Sequence, residues 1–189
     1  CIFGSLGVMI SGVNVYNPYE GDGVTVAMNA NFTLTDEEGV EVPFMDSCNG
    51  HPSPHPADAY HYHGLPNCVT AQVDEEGGPS HIIGFGYDGF PIYGPYGFYN
   101  TNGTGNILRM KSGFHEKHSN LKSNSSKIEK YYFRSSKSSD TLDEHNGRFC
   151  ITPEYPEGTY CYFLTTDELI KKIYDLSLNI NKHQNKNEN

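Results

Sequence analysis

Asp46-Ser47-Cys48-Asn49-Gly50-His51-Pro52, followed by Tyr60-His61-Tyr62-His63, is the stretch on which the reading of this chain turns. The first segment is made of turn formers: Asp and Asn bond their own following amides, Gly admits positive φ, and Pro donates nothing to a ladder. The second alternates. In an extended strand His61 and His63 share one face, with Tyr60 and Tyr62 on the other. The pair predicts a tight loop laid against a short strand that carries two imidazoles on one side. Such a loop buries little apolar area and leaves several backbone groups without ladder partners. His51, His61 and His63 are expected to lie close together and to satisfy those groups, tying the loop onto the strand. A bridge between Cys48 and Cys68 would fix the spacing covalently.

The same imidazoles are metal ligands. His61 and His63 form a two-imidazole clamp, His51 is the third candidate, and Asp46, Asp88 and His145 are further candidates for a site taking Zn or Cu. Acid–base hydrolysis by His61 or His63, oriented by Asp46 or Asp88, is another use of the same groups. No catalytic residue is assigned, because no Gly-x-Ser-x-Gly elbow occurs and Cys48 lacks the flanking pattern of a thiol protease.

Around this centre the chain reads as short strands separated by turns. Residues 1–45 alternate apolar runs such as Val13-Asn14-Val15-Tyr16 and Val24-Thr25-Val26-Ala27 with Gly, Pro and Asn. Residues 88–95 read as a turn followed by a short strand, in which Pro91 suits an edge or a first position. Phe85, Tyr87, Phe90, Tyr93, Tyr96, Phe98 and Tyr99 are expected mostly in the core, with a sugar- or protein-binding platform as the other use of such a series. Residues 111–141 are Lys- and Ser-rich and read as an exposed insertion anchored by Tyr131-Tyr132-Phe133. Arg148 to Thr152 and Thr159 to Leu164 bracket a Pro/Gly turn and predict a hairpin. Thr165-Thr166-Asp167-Glu168 resembles a capping box, with Leu169, Ile173, Leu176 and Ile180 at helical spacing behind it.

The expected fold is mainly β: one compact, sandwich-like domain of short strands and long Gly/Pro-rich loops over residues 1–166. A short C-terminal amphipathic helix at 167–180 and a polar tail at 181–189 follow. Its 189 residues include 14 Tyr, 10 Phe, 20 Gly, 11 Pro and no Trp, a composition of strand and turn formers.

A net charge of -10 from 13 basic and 23 acidic residues argues against nucleic acid or an anionic bilayer as partner. No apolar run reaches the roughly 18 residues of a membrane span, residues 2–15 included. Sequons stand at Asn31, Asn102 and Asn124. Five cysteines without a C-x-x-C pattern fit disulfides in an oxidising compartment, with Cys150 and Cys161 as a second pair across the predicted hairpin and Cys1 left for another subunit or an upstream residue. A secreted or cell-surface protein is expected. The chain starts without Met, and is read as a processed mature protein or a piece of a longer one.

Asp46 to Pro52, Tyr60 to His63 and Gly84-Phe85-Gly86-Tyr87-Asp88-Gly89-Phe90-Pro91-Ile92-Tyr93-Gly94-Pro95 together resemble the signature blocks of the YHYH-domain family, in the same order. Asn102-Gly103-Thr104-Gly105, Leu142-Asp143-Glu144-His145-Asn146-Gly147-Arg148-Phe149, Thr152-Pro153-Glu154-Tyr155-Pro156 and Gly158-Thr159-Tyr160 agree with it, so that the resemblance runs over about residues 7–166. It implies an exported or surface protein of bacteria or aquatic eukaryotes, often one module of a larger chain, and it brings no activity. Two places depart from the family pattern. Pro79 stands where a His often precedes the Ser of Ser-x-x-x-Gly, with His81 after Ser80, and Tyr160-Cys161-Tyr162 is a second Tyr-x-Tyr without histidine. A two-fold symmetric histidine site is therefore not expected.

The leading functional expectation is an extracellular structural or adhesive module that assembles with copies of itself or with other extracellular proteins. Its tail or residues 2–15 would add a strand to a neighbour's sheet edge. The alternative is a secreted metal-binding protein or metal-dependent hydrolase built on the histidines, and a carbohydrate-binding module ranks third.

Overall fold

The computed structural model describes residues 4–17, 33–35, 37–43, 45–53, 59–116 and 131–165. The expected strand at Val24-Thr25-Val26-Ala27, the helix at 167–180, the tail at 181–189, Asn31, Asn124 and Cys1 lie outside those residues.

The chain is mainly β. Its largest element is an eight-stranded sheet built from β1 (Ser5–Met9), β2 (Asn14–Tyr16), β5 (Gly50–Pro52), β6 (Tyr60–Tyr62), β7 (Ile82–Gly86), β8 (Pro91–Tyr93), β13 (Gly147–Cys150) and β14 (Thr159–Phe163). Three two-stranded ribbons accompany it: β3 (Thr33–Thr35) with β4 (Glu41–Pro43), β9 (Tyr96–Phe98) with β10 (Ile107–Arg109), and β11 (Phe114–Glu116) with β12 (Tyr131–Phe133). Pro91 takes the first position of β8, where its missing N–H is tolerated. The expected hairpin across the Pro/Gly turn forms as β13 and β14, antiparallel.

One helix stands among the described residues, α1 (Asn67–Val73), inside a stretch whose Gly/Pro content had pointed only to loops and strands. Pro66 presets its entry, and Asp74 ends it, accepting from the Ser80 hydroxyl at 2.9 Å and the His81 amide at 3.0 Å. Val69 of α1 packs with Leu65 onto Met9, Val15, Tyr62, Ile83 and Ile92. A second cluster gathers Tyr93, Met110, Leu142, Cys150, Cys161 and Phe163. Burying each such side chain contributes about 1.5–3 kcal/mol, and these two clusters hold the sheet in place.

The sheet order is β13-β14-β8-β7-β1-β2-β6-β5, and it reads the same way outward from its centre. Antiparallel β1 and β7 sit in the middle; each forms a hairpin with the next strand, β2 or β8. Each of those is joined in parallel by β6 or β14, which pairs antiparallel with the outermost strand, β5 or β13. The local bonding repeats too. Gly12 donates to Met9 O at 2.8 Å and Gly89 to Gly86 O at 2.9 Å, both glycines at positive φ. Ile10 donates to Ile83 O and Tyr87 to Leu6 O, a reciprocal pair across the centre. The sheet is thus two copies of one four-strand unit related by a pseudo-two-fold axis between β1 and β7.

One expected disulfide forms and one does not. Cys48 and Cys68 are bridged, with Cα atoms 5.3 Å apart, anchoring α1 to the loop before β5. Cys150 and Cys161 are free and fully buried. The register explains this: Arg148 faces Cys161 while Cys150 faces Thr159, so the two cysteines are diagonal neighbours. Diagonal Cβ atoms lie roughly 7 Å apart, against about 3.8 Å for a bridge.

Candidate metal centre

Loop geometry comes first, because it decides what the histidines are free to do. Asp46 Oδ1 accepts from the amides of Cys48 at 2.8 Å and Gly50 at 3.1 Å, and Oδ2 accepts from the Tyr60 hydroxyl. Asn49 sits at φ 61 and donates its side-chain amide to Leu65 O at 2.7 Å. Burial raises the Asp46 carboxyl, but the bonds from Tyr60, Gly50 and Cys48 outweigh it and hold it below the usual carboxylate range. The Tyr60 hydroxyl is pushed up by burial and by Asp46. The expectation that imidazoles tie the loop down is thereby corrected: Asp46, Asn49 and Tyr60 do it.

His51, His61 and His63 do come together. All three are buried, and one ligand nitrogen of each lies within 4.8 Å of the others. His51 of β5 faces His61 of β6 directly across the antiparallel ladder, and His63 follows two residues on, on the same side. The rings pack closely, His51 stacked on His63 at 5.0 Å and His61 edge-on to both. Tyr16 stacks on His61 with centroids 3.9 Å apart, a contact that sequence reasoning missed although the alternation of residues 13–16 sets Tyr16 two places from Asn14, which pairs with His61.

The hydrogen bonds fix the tautomers. A carbonyl oxygen only accepts, so a ring nitrogen bonded to one carries the proton. Nδ1 of His51 donates to Pro52 O at 2.9 Å, Nδ1 of His61 to Ala59 O at 3.0 Å, and Nδ1 of His63 to Asn17 O at 2.8 Å. His61 Nδ1 also has a longer contact with the Ser53 hydroxyl at 3.4 Å. In the neutral rings every Nε2 then carries a lone pair. Yet Nε2 of His61 and Nε2 of His63 lie 3.0 Å apart. Two lone pairs at that distance repel unless a cation sits between or beside them. On His63 a proton is disfavoured, since burial first, then the neighbouring His61 and His51, holds it down to about 4, and burial also lowers His51. A metal ion fits: two nitrogens each about 2.0–2.1 Å from a tetrahedral ion lie roughly 3.3 Å apart.

Nδ1 bonds to carbonyls are the outer-shell pattern that orients histidine ligands and makes them more basic. Three neutral imidazoles would leave a divalent ion its full charge, and among the described residues no fourth His, Cys, Asp or Glu joins the group.

The remaining candidates are placed elsewhere. Asp46 is spent on the loop and on Tyr60, whose side chain leaves β6 on the face opposite His61. Asp88 lies in the other half of the sheet, accepting from Tyr162 and from the Phe90 amide. His145 is exposed in the equivalent loop of that half. None of the three joins the histidine group among the described residues. His81 meets Glu154 at the surface, 3.3 Å away. Asn102 is exposed on a turn, accepting from Thr104 at 2.7 Å. Of the aromatic series, Tyr93 is core, whereas Phe85, Tyr87, Phe90 and Tyr99 are exposed.

The loop device recurs in the other half. Asp143 accepts from the amides of His145 and Gly147 and from the Tyr160 hydroxyl, and Asn146, at φ 61, donates its side-chain amide to Phe163 O. Asp-x-x-Asn-Gly followed by Tyr-x-Tyr is therefore framework, present twice. The histidines are present once: Arg148, Cys161 and Phe163 stand where His51, His61 and His63 do. The loop device forms in the second half without imidazoles, so the three histidines are not part of it.

A family model described as YHYH protein matches residues 2–174. Comparison with curated proteins and with solved structures finds no match. The match takes in both halves of the sheet, both loop devices and the three histidines, and the chain belongs to the YHYH family.

Proposed function

We propose that this chain is a secreted metal-binding domain whose centre is His51, His61 and His63 and whose ion is Zn or Cu. The observation that carries the reading is the 3.0 Å approach of the His61 and His63 Nε2 atoms while both Nδ1 atoms donate to carbonyls. Imidazole ligands of this kind suit Zn and Cu over the oxygen-seeking ions. An ion held by these three imidazoles with water beside it would supply Lewis-acid activation of that water near neutral pH. Metal-assisted hydrolysis is the chemistry such an ion would bring, and the part of the protein would be to hold the three buried nitrogens. The test is metal analysis of purified protein beside a His61→Ala/His63→Ala variant. One equivalent in the wild type and none in the variant is the expected result; equal content in both overturns the reading.

A structural role in an extracellular assembly is the second reading, favoured by one surface. Leu6 and Val8 of β1, with Ile10 beyond its end and Phe85 of β7, are exposed large apolar side chains on the two central strands. Such a row is suited to association with a second copy or another extracellular protein. Light scattering of the wild type and of Val8→Lys tests it: self-association lost in the variant supports it, and a monomer in both removes it.

A further inference from the structure

We infer that the second half of the sheet holds a cation position equivalent to the histidine centre, and that the guanidinium of Arg148 fills it as a cation tethered to the chain. The argument rests on superposable chemistry. Arg148 faces Cys161 across β13 and β14 in the register in which His51 faces His61 across β5 and β6. Its guanidinium carbon lies 5.4 Å from the centre of the Phe163 ring, as the His51 ring lies 5.0 Å from that of His63. Gly147 and Gly50, just before them, are each pressed against a tyrosine hydroxyl that is bonded to the loop aspartate.

What the guanidinium does there is what a cation does. Nη1 donates to Ser139 O at 2.6 Å and to Tyr99 O at 3.4 Å, and Nη2 donates to Phe98 O at 2.6 Å, so that three carbonyls converge on it. Arg148 and Cys150 stand two residues apart on one face of β13, and Cys161, opposite Arg148, shares that face, both thiols fully buried. Gly97 leaves the room it needs, since a Cβ there would lie 3.2 Å from Nη2. A positive charge held by carbonyl dipoles and an aromatic face is an internal cation site, with the fixed N–H fork of Nη1 and Nη2 in place of open coordination. The first half, by contrast, presents the facing Nε2 atoms of His61 and His63. On this reading the two halves meet one requirement, a cation, by different means: one would bind it and the other carries it on Arg148.

The equivalence rests on the metal reading of the first half, whereas the ligands of the second half can be tested apart from it. Removing the guanidinium and supplying an imidazole leaves a Cys150, Cys161 and His set, the donor class of thiophilic divalent ions. The probe is Co(II), added to wild type, Arg148→His and Arg148→Gln under reducing conditions, with stoichiometry, thiolate-to-cobalt charge-transfer absorption and thermal midpoint measured. Arg148→His is expected to bind one equivalent more than wild type, whatever the wild-type number, with thiolate absorption that wild type lacks. Co(II) should raise its midpoint by more than it raises that of Arg148→Gln. Should Arg148→His be unfolded without metal, recovery of the fold with Co(II) supports the inference and failure to recover overturns it. No extra equivalent, or an extra equivalent without thiolate absorption, also overturns it. A wild type that binds no Co(II) would count against the histidine centre alone.

Discussion

Asn49 and Asn146 adopt the same left-handed backbone, each at φ 61, and each donates its side-chain amide at 2.7 Å to a carbonyl at or just beyond the end of the Tyr-x-Tyr strand beside it. Their own carbonyls accept from the backbone amides of His63 and Phe163 at 3.3 and 3.1 Å. One residue thus sets the turn and pins the neighbouring strand in both halves. Replacing either by Ala adds left-handed strain of about 1–2 kcal/mol and removes a hydrogen bond worth about 1 kcal/mol. Asn49→Ala and Asn146→Ala are each expected to lose roughly 2–3 kcal/mol in urea unfolding, and Gly at the same positions less, because Gly keeps the backbone.

Gly50 and Gly147 are expected to be equally intolerant. A Cβ at Gly50 would stand 2.4 Å from the Tyr60 hydroxyl oxygen, and one at Gly147 2.3 Å from that of Tyr160. Each ring is held by its aspartate and by an edge-on neighbour, Tyr62 or Tyr162, and cannot swing away cheaply. Ala at either position should cost about 1–3 kcal/mol through overpacking, measured by thermal unfolding. Indifference at either glycine would contradict the equivalence of the two halves.

The Cys48–Cys68 bridge closes a separation of 20 residues. Loop-closure entropy for that length gives about 3 kcal/mol. A Cys48→Ala/Cys68→Ala variant should lose about that much, with metal present or absent, because the bridge braces α1 and the loop rather than the imidazoles themselves.

Acid should weaken the metal-free protein in a defined window. His63 is held at about 4 in the folded chain and returns to its ordinary value near 6.5 when unfolded. Between those values the unfolded chain binds the extra proton, so stability rises with pH. The contribution is complete above about 6.5 and is lost as pH falls toward 4. Asp46, held below the usual carboxylate range, adds a separate loss below about 4. Urea midpoints of metal-free protein from pH 7.5 to 4 should fall, and His63→Phe should flatten the upper part of that slope.

Much of this fold is legible in local pattern. The alternation in Tyr60-His61-Tyr62-His63 places its histidines on one face, the turn formers before it give the loop, and the Pro/Gly turn marks the β13–β14 hairpin. Three things were not. The helix α1 is short, and it is defined by Pro66, the Cys68 bridge and burial against Met9 rather than by a long periodic run. The Cys150 and Cys161 pairing depended on register, which a two-residue offset changes without altering the pattern. The duplicated loop is written as Asp46-x-x-Asn49-Gly50 and Asp143-x-x-Asn146-Gly147, but the two copies do not read alike, because the second has Arg148 and Cys161 where the first has His51 and His61.

The central claim is that the 3.0 Å gap between two imidazole nitrogens is a metal position. The most direct measurement is the unfolding free energy of wild type and His61→Ala, each in chelator and each with Zn(II). A bound ion adds stability by mass action, about 2.7 kcal/mol when free metal is 100-fold above the dissociation constant. The wild type is expected to gain stability on adding Zn(II) and His61→Ala to gain none, so that the cost of the substitution grows with metal. The same cost with and without metal, and no gain in the wild type, would make the three histidines structural and contradict the account.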